Sequence, residues 1–294
     1  MLALLRVGST IVACQSGSGG GGEPGIGAAP TISSDHEISL PLDAYALSRH
    51  ERDVVDKAVD VAANACMARF GLSWPPPYRP PAKFAQNARA YGVISPVDAA
   101  RYGYHPPLPE GVTPADAARL AQEDSGRSAS TTATQRAVYT GNGFAETGVQ
   151  GVPAGGCLGE ARVSIGAPTA PDTFVQTLRN EAHEASETDS RVRDLFDRWS
   201  SCMAKSGYKY TDPREAHNDD RWWDNSGGGM PTPVEIAVAT ADVRCKQELN
   251  LVGVWVAVES AYQQQAIDDN VEQLTQSREQ YTTLMTNARQ VLGT

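Results

Sequence analysis

The sequence has few aromatic residues, and beyond the N-terminus it has no apolar segment long enough to span a membrane. Aromatic side chains make up 7% of the 294 residues, and hydrophobic residues make up 40%. A core with so few aromatic residues favours alanine-padded helices over a strand-rich fold. Beyond the N-terminus no run of about eighteen apolar residues occurs, so we expect no further transmembrane helix.

A concentrated basic surface is also missing. The formal net charge is −10, and the lysines and arginines form no stripe along the sequence. Proteins that bind nucleic acids or anionic lipids usually carry such a stripe. We therefore expect no nucleic acid among the partners, and contact with a membrane only through a lipid anchor.

Familiar catalytic motifs are absent as well. The chain contains neither a Gly-x-Ser-x-Gly elbow nor a phosphate-binding Gly-x-x-x-x-Gly-Lys loop. The pair His183-Glu184 lacks the second histidine of a zinc-protease helix, because Glu187 occupies that position. We expect this segment to be a solvated helix face. The sequence predicts no catalytic residue, no metal site and no cofactor.

The N-terminus carries an export signal. Ile11-Val12-Ala13-Cys14 matches the pattern at which bacterial lipoprotein precursors are cleaved and lipidated on cysteine. The segment between Arg6 and Cys14 is shorter than the apolar region of a secretory signal. A short N-terminus without lipidation is the alternative. The pattern predicts lipidation at Cys14.

Four further cysteines fall into two similar pairs. Cys66 and Cys202 each begin a Cys-Met-Ala-basic-x-Gly unit, while Cys157 and Cys245 each begin Cys-x-x-Glu. The correspondence predicts disulfides Cys66–Cys157 and Cys202–Cys245, one of the three connectivities that four cysteines allow. Reduced cysteines and a zinc site are the alternatives, but the closely spaced ligand pairs of zinc sites do not occur. Disulfides favour an oxidising compartment.

Together, the lipobox-like start and the repeated cysteine units resemble uncharacterised secreted lipoproteins of actinomycetes. The resemblance covers Ile11 to Cys14 and the four-cysteine frame. It implies an extracytoplasmic protein held at the cell membrane by a lipid. It implies no catalytic residues.

Helical periodicity dominates the remaining chain. Apolar residues recur at three- and four-residue steps after Ser48, after Pro171 and from Thr232 to Leu292. The last helix is predicted to be either continuous or kinked near Asp268. Ser95-Pro96 and Thr113-Pro114 predict two short helices between these segments, and residues 123–155 are predicted to be a long loop or a partly disordered insertion.

These patterns predict a mainly α fold with a long antiparallel helical hairpin and a flanking helical, Pro/Gly-rich N-terminal region. The Cys202–Cys245 disulfide would lock the hairpin near its connecting loop. We divide the chain into a signal and lipobox (1–14), a flexible Gly/Ser linker (15–40), a helical region with Pro-rich and Ser/Thr-rich loops (41–170) and the long-helix hairpin domain (171–294).

The loop between the long helices is the best candidate for binding. It is polar and flanked by glycines, and its adjacent tryptophans can stack on a sugar or anchor a partner. The alternatives are that the tryptophans cover the loop end of the hairpin, or that the aspartates bind calcium. The predicted contact residues are Tyr208, Tyr210, Asp220, Trp222 and Trp223.

We expect a membrane-tethered protein that acts by binding or assembly, with an extracytoplasmic protein or a cell-wall component as its partner. A hydrolase acting on cell-envelope material is the first alternative. A pocket that gathers two acids, or an acid and a histidine, would favour it. The second alternative is self-association of the C-terminal helix as a coiled coil, because its apolar residues follow a heptad-like spacing.

Overall fold

Helices make up most of the structure. The computed structural model describes residues 22–75, 85–108, 112–167, 173–223 and 230–294, and these ranges contain no strand. The predicted mainly α fold is confirmed. The α-helices are α1 (Arg49–Arg69), α2 (Pro96–Tyr102), α3 (Pro114–Ser130), α4 (Ala133–Thr140), α5 (Gly156–Ser164), α6 (Phe174–Thr188), α7 (Ser190–Lys205), α8 (Pro213–His217), α9 (Asp220–Trp223), α10 (Pro233–Glu248), α11 (Leu251–Asp269) and α12 (Val271–Leu292).

Side-chain caps begin the main helices where the sequence predicts them. Ser48 and Glu51 form a reciprocal capping box at the start of α1, and Thr232 and Glu235 do so at the start of α10. In each box the hydroxyl accepts a first-turn N–H and the carboxylate accepts the N–H of the cap residue. Helices α2 and α3 begin where Ser95-Pro96 and Thr113-Pro114 predict them, and α3 is longer than predicted, at 17 residues. These starts are local, so a few neighbouring residues are enough to specify them.

Two disulfides join helices that are distant in sequence. Cys66 of α1 is bonded to Cys157 of α5, and Cys202 of α7 is bonded to Cys245 of α10. These are the two pairs that the repeated cysteine units predict. Cys14, the predicted lipidation site, lies outside the described residues.

The largest apolar core lies among α7, α10 and α11 and includes the buried Trp199 and Trp255. The indole of Trp199 donates to Asp242 at 2.9 Å, and that of Trp255 donates to Ser186 of α6 at 2.8 Å. Helices α6 and α7 therefore pack on α10 and α11. The antiparallel hairpin geometry itself stays a prediction.

The long C-terminal helix is interrupted twice. One break lies at Asn270, between α11 and α12, next to the predicted kink. The other lies at Asn250, whose φ of 49° is left-handed. Asparagine tolerates this conformation better than most residues, but no proline or glycine announces the break. The continuous alternative for residues 234–292 is therefore wrong.

Residues 22–40 are packed on the helices rather than forming a flexible linker. Ile32, Ile38 and Leu40 are buried in the main core. The carbonyl of Pro30 lies so close to Gly253 of α11 that an added Cβ would stand 1.8 Å from it. The linker prediction for 15–40 is wrong in this described part, because scattered apolar residues give no periodic signal but still find a surface to cover.

The predicted loop at 123–155 is also partly wrong. The end of α3 and all of α4 fall within it, and Phe144–Thr147 forms a short 3-10 helix. Thr132 and Gln135 cap α4 reciprocally. The polar composition conceals these helices, because few apolar residues mark their buried faces.

The N-terminal helices pack on the C-terminal ones. Helix α1 lies against α12, where Ala58 contacts the cluster of Leu284, Ala288 and Ile165, and α2 lies against α10. The apolar stripe of α12 is thus used within the chain. Regions 41–170 and 171–294 share packed surfaces, and their division into separate domains stays a prediction.

Candidate functional site

The aromatic loop predicted as a binding surface is largely folded into the protein. Trp222 is only 4% exposed, and its indole donates to the carbonyl of Ala216 at 2.8 Å. Tyr210 is 9% exposed, and its hydroxyl donates to Asp219 at 2.8 Å. Trp223 is 42% exposed. Of the two tryptophans, Trp223 alone faces solvent, and the binding role of this loop stays a prediction.

The two remaining predicted contact residues differ in exposure. Tyr208 is half-buried against the main core. Asp220 is exposed at the start of α9. Residues 224–229, which complete the predicted loop, lie outside the described residues.

Arg221 ties this loop together. Its guanidinium donates to both carboxylate oxygens of Asp219 and to the hydroxyl of Tyr210, and it lies 4.7 Å from the ring of Trp222. The hydrogen bonds from Arg221 lower the pKa of Asp219 to about 2. An aspartate held in this way is a structural group rather than a calcium ligand.

A buried polar centre lies between α10 and the segment that follows α2. Oε1 of Glu235 accepts the backbone N–H of Tyr104 at 2.8 Å and lies 2.8 Å from Nδ1 of His105. About two turns further along α10, Asp242 and Lys246 form a fully buried ion pair at 3.0 Å. These contacts bind α10 to the segment after α2, so the centre stabilises the fold.

An open cleft of about 550 Å³ lies between α1, the turn at residues 85–90, α6 and the side of α11. We call it the arginine cleft. Its polar lining comes from segments far apart in the sequence. The residues that define it are Arg49, Arg52, Asn87, Arg179, His183 and Glu259.

Buried hydrogen bonds hold Arg179 in the wall of the cleft. Its Nη2 donates to Asp43 at 2.6 Å and to Oδ1 of Asn87 at 2.7 Å. Asn87 in turn donates to Asp43 at 2.7 Å and to the carbonyl of Ile38 at 3.4 Å. A guanidinium held by a buried amide and a carboxylate keeps one orientation, because both of its acceptors are themselves fixed.

Arg49 and Arg52 stand opposite on the first turns of α1. Nε of Arg49 donates to the carbonyl of Ala85 at 2.8 Å. Arg52 donates from Nη1 to the carbonyl of Leu47 at 2.5 Å and from Nη2 to Gln86 at 3.3 Å. Both side chains are thus directed by neutral acceptors and keep their full positive charge in the cleft.

Glu259 organises the floor of the cleft. Its Oε2 accepts the hydroxyl of Tyr91 at 2.7 Å and lies 2.8 Å from Nδ1 of His183. Its Oε1 accepts Nε2 of Gln263 at 2.8 Å. The imidazole of His183 also stacks on Trp255 at 5.5 Å. The expected solvated face is therefore wrong for the half-buried His183, whereas its neighbours Glu181 and Glu184 are exposed.

Electrostatics in the cleft follow from this geometry. Burial opposes the charge on His183, but the hydrogen bond and the negative charge of Glu259, with that of Glu187, outweigh it and raise the pKa of His183. Burial, together with the nearby positive charges of Arg49 and Arg179, lowers the pKa of Arg52. Positive charges that lie close enough to lower the pKa of Arg52 favour an anion among them.

The cleft can act chemically in two ways. Its arginines can bind an anion through charge-assisted hydrogen bonds. The carboxylate of Glu259 can also hold His183 with Nδ1 protonated, which leaves Nε2 to exchange protons. Nε2 lies 3.7 Å from Glu187. Within the described ranges, no group of three or more His, Cys, Asp or Glu residues is arranged to hold a metal ion.

Sequence reasoning missed the arginine cleft. Its only sequence signal was the position of His183, which follows Ala182 and so flanks the apolar stripe of Leu178 and Ala182 on this helix. That position indicates a boundary between core and solvent rather than an exposed face.

The chain matches no protein-family model, no curated protein sequence and no solved structure. Among the described residues, no helix has the length and apolar character needed to cross a membrane.

Proposed function

We propose that this chain is a membrane-tethered, extracytoplasmic protein that acts by binding a ligand in the arginine cleft. Two disulfides support an oxidising compartment, since such bonds rarely persist in a reducing cytosol. The lipobox-like sequence before Cys14 supports the tether. The resemblance to secreted lipoproteins of actinomycetes supports both.

One observation carries the binding function. Side chains from four separate helices and turns converge on one open cleft of about 550 Å³, a volume suited to a small molecule or one end of a larger one. Polar groups that orient a ligand usually lie in such concave sites. Of the two tryptophans in the described part of the aromatic loop, Trp223 alone is exposed, so this loop is the weaker candidate.

Blocking the cleft tests the binding function without assuming the class of ligand. Ala90 is exposed and lines the cleft, so Ala90→Trp fills space there without changing charge. Ala204→Trp on the exposed side of α7 is the matched control. Native mass spectrometry of the protein isolated from producing cells should show a small molecule on the wild type and on Ala204→Trp. Ala90→Trp should lack it.

Equal small-molecule content in Ala90→Trp and wild type would count against the cleft. The tether is tested separately with Cys14→Ala. This variant should move from the membrane fraction to the soluble fraction, because a lipid on Cys14 is the expected anchor. Unchanged membrane association of Cys14→Ala would contradict the tether.

A hydrolase is the second candidate, because the cleft combines an acid with a histidine. Glu259 orients His183, and such a pair can remove a proton from a water molecule or a substrate. His183→Asn should then abolish hydrolysis of soluble cell-wall fragments while the small molecule is still retained. If His183→Asn loses the small molecule and the wild type shows no detectable hydrolysis, the results would favour binding alone.

A further inference from the structure

We propose that the arginine cleft binds an anionic group, a carboxylate or a phosphate, between Arg179 on one wall and Arg49 and Arg52 on the other. This inference rests on the proposed binding function and names the class of its ligand. It follows from which nitrogen atoms are already used and which are left to meet a ligand.

Arg179 is a mostly enclosed guanidinium with unused donors. Its side chain is 14% exposed and lines the cleft. Nη2 makes both of its hydrogen bonds, to Asp43 and Asn87, whereas Nε and Nη1 donate to no partner within the described residues. The N–H groups of Nη1 can therefore each donate to an oxygen of a carboxylate or phosphate in the cleft.

Arg49 and Arg52 bring positive charge without a paired acid. Their hydrogen bonds go to carbonyls and to an amide, and in the part of the chain that the structure describes neither forms an ion pair. Nη1 and Nη2 of Arg49 donate to nothing within the same described ranges. Cations held close together repel one another, and a bound anion offsets this repulsion.

The two acids beside Arg179 and His183 are already occupied by hydrogen bonds. Asp43 accepts from the backbone of Leu40, from Asn87 and from Arg179. Glu259 accepts from Tyr91 and Gln263 and is held against His183. The charges of Asp53 and Asp56 also act on Arg52, but neither acid forms an ion pair with it. A positive cleft on an acidic protein concentrates anions at one place.

Calorimetry on the purified full chain tests the class of ligand. Inorganic phosphate and succinate are titrated at constant ionic strength, and choline is the cationic comparison. Arg52 is exposed, so Arg52→Gln removes its charge with little effect on folding. Arg52→Lys keeps the charge, and Arg193→Gln removes an exposed arginine from α7, away from the cleft.

We expect at least one anion to bind the wild type. Arg52→Gln should raise its Kd about tenfold, the effect of losing one charge-assisted hydrogen bond. Arg52→Lys should raise the Kd less than Arg52→Gln does, and Arg193→Gln should leave it unchanged. Binding of phosphate alone points to a phosphorylated ligand, and binding of succinate alone points to a carboxylate. All variants should keep the wild-type melting temperature within about 2 °C.

The inference is overturned if neither anion binds, if choline binds as tightly as the anions, or if Arg52→Gln binds like the wild type. These outcomes are separate from failure of the binding function itself. If Ala90→Trp loses the small molecule but the anions do not bind, the cleft is a binding site for another class of ligand. If Ala90→Trp keeps the small molecule, both proposals fail.

Discussion

Nδ1 of His183 lies 2.8 Å from Oε2 of the buried Glu259, across 76 residues of sequence. Glu259 raises the pKa of His183 against the effect of burial. The pair therefore stabilises the folded protein fully below the ordinary histidine pKa of 6.5, and this contribution disappears as the pH rises through the higher pKa of the folded state.

Replacing Glu259 tests this pair. The free energy of unfolding of the wild type, relative to that of Glu259→Gln, should fall as the pH rises above 6.5 and through the raised pKa of His183. Urea unfolding at several pH values measures both proteins. When His183→Asn is also present, Glu259→Gln should no longer change how the free energy of unfolding depends on pH. Parallel stability curves for the wild type and Glu259→Gln would contradict the pair.

His217 should show the opposite pH dependence. Burial, with the positive charges of Arg89 and Lys246, lowers the pKa of His217 to about 4. Between about pH 6.5 and pH 4, His217 is protonated in the unfolded chain but neutral in the folded chain. The free energy of unfolding therefore falls as the pH decreases over this range. His217→Phe keeps an aromatic ring beside Tyr104. Its melting temperature should fall less over this range than that of the wild type, and an equal fall would exclude His217 as the cause.

The two adjacent tryptophans should differ sharply in their effect on stability. Trp222→Ala leaves a cavity in the core and should cost about 3–5 kcal/mol. Trp223→Ala changes a partly exposed side chain and should cost about 1 kcal/mol or less. Chemical denaturation of both variants measures this difference. Similar losses of stability would contradict the burial of Trp222.

The buried ion pair of Asp242 and Lys246 should be costly to break but not to replace. Lys246→Met leaves a fully buried carboxylate unpaired and should cost about 3–5 kcal/mol. Adding Asp242→Asn removes that charge and keeps an acceptor for Trp199, so the double variant should recover much of the loss. A double-mutant cycle from urea unfolding measures the coupling, and additive losses would show that the pair does not interact.

Removing one disulfide tests its role as a constraint. Cys202→Ala with Cys245→Ala opens a link between residues 43 apart and should cost about 4 kcal/mol. Peptide mapping without reduction should recover the Cys66–Cys157 and Cys202–Cys245 peptides. A Cys66–Cys202 peptide would overturn this connectivity.

Two failures of prediction have the same physical origin. The break at Asn250 and the burial of residues 22–40 both depend on packing against distant parts of the chain. Gly253 illustrates this, because its sequence suggests only a mildly unfavourable helix residue, whereas in the structure it makes room for the carbonyl of Pro30. Helix propensity describes the preference of a residue type without its tertiary contacts, and those contacts can override it.

The sequence by itself determined the helical class, the starts of the main helices and the pairing of four cysteines. Periodicity and capping act over a few residues, and the two cysteine units repeat recognisable motifs, so neither needs a fold to be read. Only the tertiary structure decided that Trp222 is buried, that His183 meets Glu259, and that three arginines share a cleft. These contacts join residues from separate helices, and the local sequence around one residue does not indicate which distant residue it will contact.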